Sequence, residues 1–498
     1  MMEVVRYVSQ GKTAVICSSQ EDIEKVARYL KMKKIGFKLF IQDSKLNKKT
    51  DIEECNCLIY DNEVKIHGYL GNFSVTSEIN GKKYGQKFDL ILDLRRINIK
   101  EKLFPPGYFV VDNNRVYEKI TELKRWEGVF EKPKYFNYEA NLCARNSSIN
   151  AGCSRCVSVC CTEAISIGEQ SRHIEINPYL CQGCGDCSSV CPTGAINLQR
   201  FDRASLLNEI RSVLSEKKSK IVLFDIKRIS FDEEMLPNVY RIELHSYGEL
   251  GLDIILSCFA YGATEILIHK YDDLMWTTIK NISEHIDWAN RIMGMLGYNK
   301  QIRWIKHINE YVHDKPEVAD NYEVATYAGL HEKKESIRLA LDFLIKKAPI
   351  QGERIDMPNG APFGTVIINS DKCTLCAACV SLCPTDALQA SNTTPEIMII
   401  EEECVQCAVC AIGCPEDAIS LVPSLNCDVE DLRTKKVLVS DEMFLCRECA
   451  KSFASKKMIT GIAKKMAKNP AFKSGLVNLL YLCEDCKIKY YAKTTNER

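Results

Sequence analysis

Three stretches of this chain obey a single spacing rule, Cys-x2-Cys-x2-Cys-x3-Cys-Pro. They are Cys181, Cys184, Cys187 and Cys191-Pro192; Cys373, Cys376, Cys379 and Cys383-Pro384; and Cys404, Cys407, Cys410 and Cys414-Pro415. Two-residue gaps let one winding loop deliver three thiols to three corners of a cubane, with backbone N–H groups facing its sulfurs. The fourth thiol must then come from another motif. Zinc sites use two pairs of ligands and gain nothing from a third evenly spaced cysteine. The spacing therefore predicts [4Fe–4S] clusters. The proline after the fourth cysteine favours a turn and removes a competing donor. Ala195-Ile196, Ala387-Leu388 and Ala418-Ile419 follow as small or apolar cover.

A fourth motif is irregular. Cys153, Cys156 and Cys160 precede Thr162 to Ile165, which aligns with the residues after Cys191, so Cys161 stands where proline belongs. Position 150, where regular spacing would put the first thiol, is Asn, and Cys143 can reach the site through a loop from Asn146 to Gly152. A [3Fe–4S] centre, or a cluster that uses Cys161, are the competing readings. The interval from Cys160 to Cys181 equals that from Cys383 to Cys404, 21 residues, which marks an internal duplication. Crosswise sharing assigns Cys143, Cys153 and Cys156 with Cys191, and Cys181, Cys184 and Cys187 with Cys160. In the second block it assigns Cys373, Cys376 and Cys379 with Cys414, and Cys404, Cys407 and Cys410 with Cys383. Four cubanes would hold about 16 Fe.

Two further pairs, Cys446/Cys449 and Cys483/Cys486, lie in a basic tail. Two Cys-x2-Cys pairs suit one tetrahedral zinc ion. The long interval between them also leaves iron–sulfur ligation or no metal as readings. Lys456, Lys457, Lys464, Lys465 and Lys468 between the pairs form a solvated face or a dock for an acidic partner. Cys17 and Cys258 fall in apolar stretches and read as buried, inert thiols. Cys55, Cys57 and Cys427 lack a paired motif. His245 and His269, each after a predicted strand, read as satisfied polar residues rather than ligands.

The 26 cysteines could instead mean a secreted disulfide scaffold. Their tight clustering opposes this, and Met1 to Lys12 is polar and charged, without an apolar run or twin arginine. A reducing cytoplasm is expected. No run of about 18 apolar residues predicts a membrane span. Lys+Arg and Asp+Glu cancel at 66 each, so no global field argues for nucleic acid. Nothing in the sequence marks a dinucleotide fold, a phosphate loop, a hydrolytic triad or a substrate pocket. An electron carrier is expected rather than an enzyme with its own substrate.

A chain of 498 residues predicts about three to five domains. The expected fold is α+β and multidomain, with two bacterial dicluster ferredoxin-like domains. Thr13 to Cys17 and Phe88 to Leu94 read as strands around a helix from Glu21 to Met32, giving an α/β domain over residues 1–130. Residues 131–202 form the first dicluster domain. Residues 203–318 alternate strand and helix as βαβ units. Residues 319–364 read as a helical linker, 365–426 as the second dicluster domain and 427–498 as a helical metal-binding tail.

Beyond the cysteines, the flanking words resemble a family of bacterial multi-cluster 4Fe–4S proteins encoded beside molybdenum formate dehydrogenases. They are Lys132 to Phe136 before Cys143, Gly360 to Gly364 before Cys373, Cys404 to Cys407 and Cys414 to Glu416, and Phe444 to Cys449, Lys456 to Met458 and Cys483 to Cys486. The resemblance implies electron transfer to or from a formate dehydrogenase or similar redox enzyme. The middle domain resembles the delta subunit of methyl-viologen-reducing hydrogenases, over Pro237 to His245, Gly262-Ala263 and the strand ending at His269. That subunit carries a [2Fe–2S] cluster on cysteines after these strands. Here His245 and His269 stand there instead, which implies a scaffold without that cluster.

Overall fold

The computed structural model describes residues 3–17, 23–42, 57–60, 64–79, 82–95, 103–111, 115–146, 152–168, 173–216, 220–226, 239–306, 323–466 and 476–496. Outside them lie Cys55, Lys468, Pro237, Asn238, Glu21 and most of the loop between Asn146 and Gly152.

The N-terminal unit opens with β1 (Val4–Ser9), β2 (Thr13–Cys17), α1 (Ile23–Met32), β3 (Phe37–Gln42) and β4 (Cys57–Tyr60). Then come β5 (Lys65–His67), β6 (Phe73–Ile79), β7 (Lys82–Phe88), β8 (Leu90–Asp93), β9 (Tyr108–Val110), α2 (Val116–Leu123) and β10 (Gly128–Pro133). A parallel sheet of order β4-β3-β2-β8-β9 forms its centre. β2 is buried along its whole length, as an inner strand covered on both faces must be. The stretch Phe88 to Leu94 is not one strand. Asp89 breaks it: its carboxylate accepts the N–H groups of Gln10 (3.1 Å) and Lys12 (3.0 Å). The chain thereby leaves the antiparallel β5-β6-β7 ribbon and enters the parallel sheet. β1 and β10 pair antiparallel, which carries Lys132 to the first cysteine block.

That block contains β11 (Phe136–Tyr138), α3 (Arg155–Val159), β12 (Ile165–Ile167), β13 (Ile174–Ile176), α4 (Asp186–Val190) and β14 (Ile196–Leu198). Two short antiparallel ribbons, β11-β14 and β12-β13, bracket it. The middle unit follows with α5 (Arg203–Glu216), β15 (Ile221–Asp225), β16 (Val239–Glu243), α6 (Leu252–Ala260), β17 (Glu265–His269), α7 (Trp276–Met295) and β18 (Gln301–Ile305). Its sheet is parallel, of order β16-β15-β17-β18, as the βαβ pattern predicts. The stretch read as a linker carries α8 (Lys333–Lys346), whose Ile337, Ala340, Leu341, Leu344 and Ile345 are buried in the same core as α6. Their spacing of three and four residues forms one apolar stripe, so α8 is a packed layer of the middle unit.

The second block contains β19 (Arg354–Asp356), β20 (Gly364–Ile368), α9 (Ala378–Leu382), β21 (Leu388–Ala390), β22 (Glu396–Ile399), α10 (Val409–Ile412), β23 (Ile419–Asn426), α11 (Val429–Arg433) and β24 (Lys436–Ser440). β20-β23 and β21-β22 repeat the two ribbons of the first block, and β24 extends the second ribbon. β24 thus lies beyond the boundary read at 427 yet belongs to this block's sheet. The tail is β25 (Met443–Leu445), β26 (Ser452–Ser455), α12 (Lys456–Met466) and α13 (Glu484–Asn496). Among the described residues no helix is long and apolar enough to cross a membrane.

Candidate metal centres

The cysteine loops owe their shape to left-handed residues at fixed positions. In the three regular motifs the residue before the second cysteine and the one after it have positive φ: Gly183 and Gly185, Leu375 and Ala377, Gln406 and Ala408. Such alternation turns successive N–H groups into one concavity, a nest suited to anionic sulfur. Leu375 N–H, for example, donates to Cys373 Sγ at 3.4 Å. Four of these six residues carry a Cβ and cost about 1–3 kcal/mol each in this region, strain of the kind that collects at functional sites. A second left-handed residue lies three positions past the last cysteine of every motif: Glu163, Gly194, Asp386 and Asp417. The irregular motif keeps this turn, but Ser154, after its second cysteine, has φ −127°. It lacks the regular cradle, and Cys143 enters instead from a short helical turn, Ala140–Leu142.

The structure gathers sixteen thiols in four groups. Burial pushes Cys156 up to about 12, and Cys153, Cys191 and Cys143 beside it push the same way. This is the first centre. In the second, burial raises Cys187 well above its ordinary value, and Cys181 and Cys160 beside it push the same way; Cys184 lies beside Cys187 too. In the third, Cys379 is pushed up to about 11 by burial and then by Cys373, Cys376 and Cys414. In the fourth, Cys410 is pushed up to about 12 by burial and then by Cys407, Cys404 and Cys383. The third group and the fourth group each line a small chamber whose other walls are mostly apolar, with Thr374 and Glu416 at the third and Thr385 and Gln406 at the fourth. Thiols packed so closely in apolar surroundings cannot all ionise unless a cationic centre binds them as thiolates. The donor set therefore fits iron–sulfur cubanes.

The groups also adjoin one another. Cys156 neighbours Cys187, Cys153 neighbours Cys407 and Cys379 neighbours Cys410. The spatial order is second, first, fourth, third. Between the two blocks, Arg155 donates to the Gln406 carbonyl at 3.3 Å.

Residues 151–195 match the family model of a 4Fe-4S dicluster domain, and residues 366–389 that of a 4Fe-4S binding domain. The chain carries ferredoxin-type 4Fe–4S domains. No curated protein matches the sequence. Because the matched stretches contain cysteine blocks at both ends of the middle unit, this is a multi-cluster iron–sulfur protein of mixed α+β fold.

Several residues that hold these ferredoxin-type loops lie outside the cysteine motifs. Lys132 Nζ donates to the carbonyls of Cys181 (2.6 Å) and Tyr179 (3.0 Å), and burial pushes it down to about 8. Lys333, on α8, donates to the carbonyls of Ser188 (2.9 Å) and Ser189. Burial pushes it down to about 8 against the pull of Asp253, which also pairs with Arg203 at 2.6 Å. Each side chain is remote in sequence from the loop that it holds. The middle unit presses on the second centre at Gly248, where an added Cβ would meet Cys184 O at 2.2 Å and Asp186 N at 2.5 Å. Gly248→Ala is therefore expected to destabilise this junction by about 1–3 kcal/mol, read as a lower unfolding midpoint together with iron lost from the second centre.

In the tail, the ligand atoms of Cys446, Cys449, Cys483 and Cys486 lie within 4.8 Å of one another. Burial works against the Cys446 thiolate, but the backbone N–H groups of Cys483, Cys449 and Glu448 outweigh it and bring the thiol down to about 6. This group can bind a metal. α12 rests on the third centre's loop, with Lys457 Nζ on the Ser370 carbonyl at 3.0 Å. Cys17, Cys258 and Cys427 are buried among apolar side chains. His269 bonds the Lys306 carbonyl at 2.8 Å, and His245 is an exposed neighbour of Glu249.

Proposed function

We propose that this chain passes electrons through four [4Fe–4S] clusters in the cytoplasm. It does so as a soluble partner or subunit of a larger oxidoreductase of the formate dehydrogenase type, with zinc bracing its tail. The observation that carries this reading is the contiguous order of the four thiol groups across two separate blocks. Each cluster, when bound, supplies a one-electron acceptor. The chain's own residues exclude water from the chambers, direct N–H groups at the sulfurs and hold neighbouring loops in register. Of the sixteen thiols only Cys376 is exposed, while Tyr135, Gly248 and Leu103 cover the second centre. This contrast supports electron exchange with the partner at the third centre. The family words around the cysteines support the choice of partner enzyme.

Anaerobic reconstitution should give about 16 Fe per chain, all reducible by dithionite, and capture from native cells should bring down a redox enzyme. A chain that binds no iron would overturn the reading. So would a deletion strain whose partner enzyme lacks its own cofactor, an outcome that favours an assembly factor instead.

A further inference from the structure

A cavity of about 520 Å³ lies where the two cysteine blocks meet α8, within the size range of sites that hold small organic molecules. The turn after Cys191 (Pro192, Thr193, Gly194) forms one wall, and α8 forms a second with Ile337, Arg338 and Leu341. Phe363, Cys404 and Val405 of the second block close it. Two centres therefore flank this space. Cys404 is a thiol of the fourth, and Thr193 Oγ1 lies 3.6 Å from the sulfur of Cys191, a thiol of the first. The cations on the walls are already engaged. Lys334 pairs with Glu403, the Nη atoms of Arg338 pair with Glu335 and Glu402, and Lys333 Nζ donates to the Ser188 and Ser189 carbonyls. Glu139 and Glu332, both exposed, add negative charge to the lining. A phosphate or carboxylate would thus meet carboxylates and no free cation. One donor is left over. Arg338 Nε is shielded from solvent and has no hydrogen-bond partner, and such a donor calls for an acceptor oxygen.

We propose that this cavity binds an uncharged conjugated ring bearing carbonyl oxygens, of the quinone or isoalloxazine kind, with one carbonyl accepting from Arg338 Nε. The inference rests on the four-cluster reading above. Ile337, Leu341, Phe363 and Val405 supply the apolar surface that such a ring needs. The reduced first and fourth centres each give up one electron and return to the oxidised state. The ring takes both electrons and two protons from water, and becomes the hydroquinone or the dihydroflavin. The first and fourth centres are the middle of the array, so the chain converts one-electron transfer along its length into two-electron chemistry at its midpoint.

The test uses the full reconstituted chain under anaerobic conditions, with menadione, riboflavin and flavin mononucleotide as probes. Iron is counted first. A parent chain without iron sinks the four-cluster reading and the redox step with it, whereas a loaded chain that binds no probe sinks the cavity alone. Calorimetry on the oxidised chain should show one site for menadione or for riboflavin, the tighter of the two naming the ring. Flavin mononucleotide, which adds a phosphate, should bind more weakly than riboflavin. Reoxidation of the reduced chain, freed of dithionite, should saturate with probe concentration and consume two electrons per molecule. Arg338→Lys keeps the charge but lacks the Nε donor, and should weaken binding by about 3- to 10-fold at unchanged iron. Leu142→Trp, at a position of the lining that is 46% exposed, should fill the space and abolish saturation. Where that variant loses iron, Arg338→Lys decides. The proposal is overturned if neither uncharged probe binds, if flavin mononucleotide binds as tightly as riboflavin, or if Arg338→Lys binds like the parent.

Discussion

Cys407→Ala should lower the iron content from about 16 to about 12 per chain and divide the array into a coupled pair and an isolated cubane. The reason lies in the neighbour relations. Cys407 is the residue of the fourth centre that meets Cys153 of the first, and Cys410 of the same centre meets Cys379 of the third. The fourth centre is thus the one whose thiols meet both the first block and the third centre. In the fully reduced parent, adjacent paramagnetic centres broaden one another along the whole series. In the variant, the first and second centres should still broaden each other, and the third should give a sharp, uncoupled signal. Cys376→Ala removes a terminal centre and should leave three mutually coupled ones at the same iron count. Equal spectra from the two variants would show that the order derived from the thiols is wrong. Arg155→Ala, which removes the 3.3 Å bond to Gln406, should retain iron and weaken the coupling between blocks.

Much of this site was legible because cluster ligation is local. Three thiols at two-residue gaps must share a loop whatever surrounds them, and the αL positions that the structure displays follow from that demand. The interval of 21 residues in both blocks likewise becomes two ribbons around each pair of centres. The order of the centres in space was not legible. It depends on Arg155 reaching Gln406, on Lys333 reaching the loop before Cys191 and on Gly248 fitting beneath Cys184, contacts spanning 64 to 251 residues of sequence. No periodicity encodes such pairings. The linker reading of α8 failed for a similar reason: its charged face dominates the composition, whereas its apolar stripe matters only once α6 is there to receive it. The strand read through Phe88 to Leu94 was misjudged because Asp89 acts through Gln10 and Lys12, about eighty residues away.

The tail should show the largest loss of structure from a single substitution. Its buried cluster consists of Cys446, Leu482, Cys483 and Cys486, with Phe453 and Leu479 packed against it. Three of those four buried residues are candidate ligands, so almost no hydrophobic core remains once the metal is gone. A structural zinc ion bound by four thiolates contributes about 10–16 kcal/mol of apparent binding energy, far more than a core of this size can supply. Cys483→Ala removes one of the four thiols and leaves in place the Cys483 backbone N–H, which donates to Cys446 Sγ at 3.3 Å. The expected result is a chain that retains its cubane iron, contains no zinc and is cleaved rapidly by protease beyond β24. α12 would be released with the tail, because only a few contacts, such as Lys465 with Glu416 and Lys457 with Ser370, fasten it to the second block. Exposed pairs of this kind contribute about 0–1 kcal/mol each. Release would further expose Thr374, against which Ser455 and Gly461 now rest, and oxygen should then destroy the third centre before the others. Zinc content, the protease fragment pattern and the order of cluster loss in air test the three steps separately. A variant that stays protease-resistant without zinc would show that the four thiols are not what folds this segment.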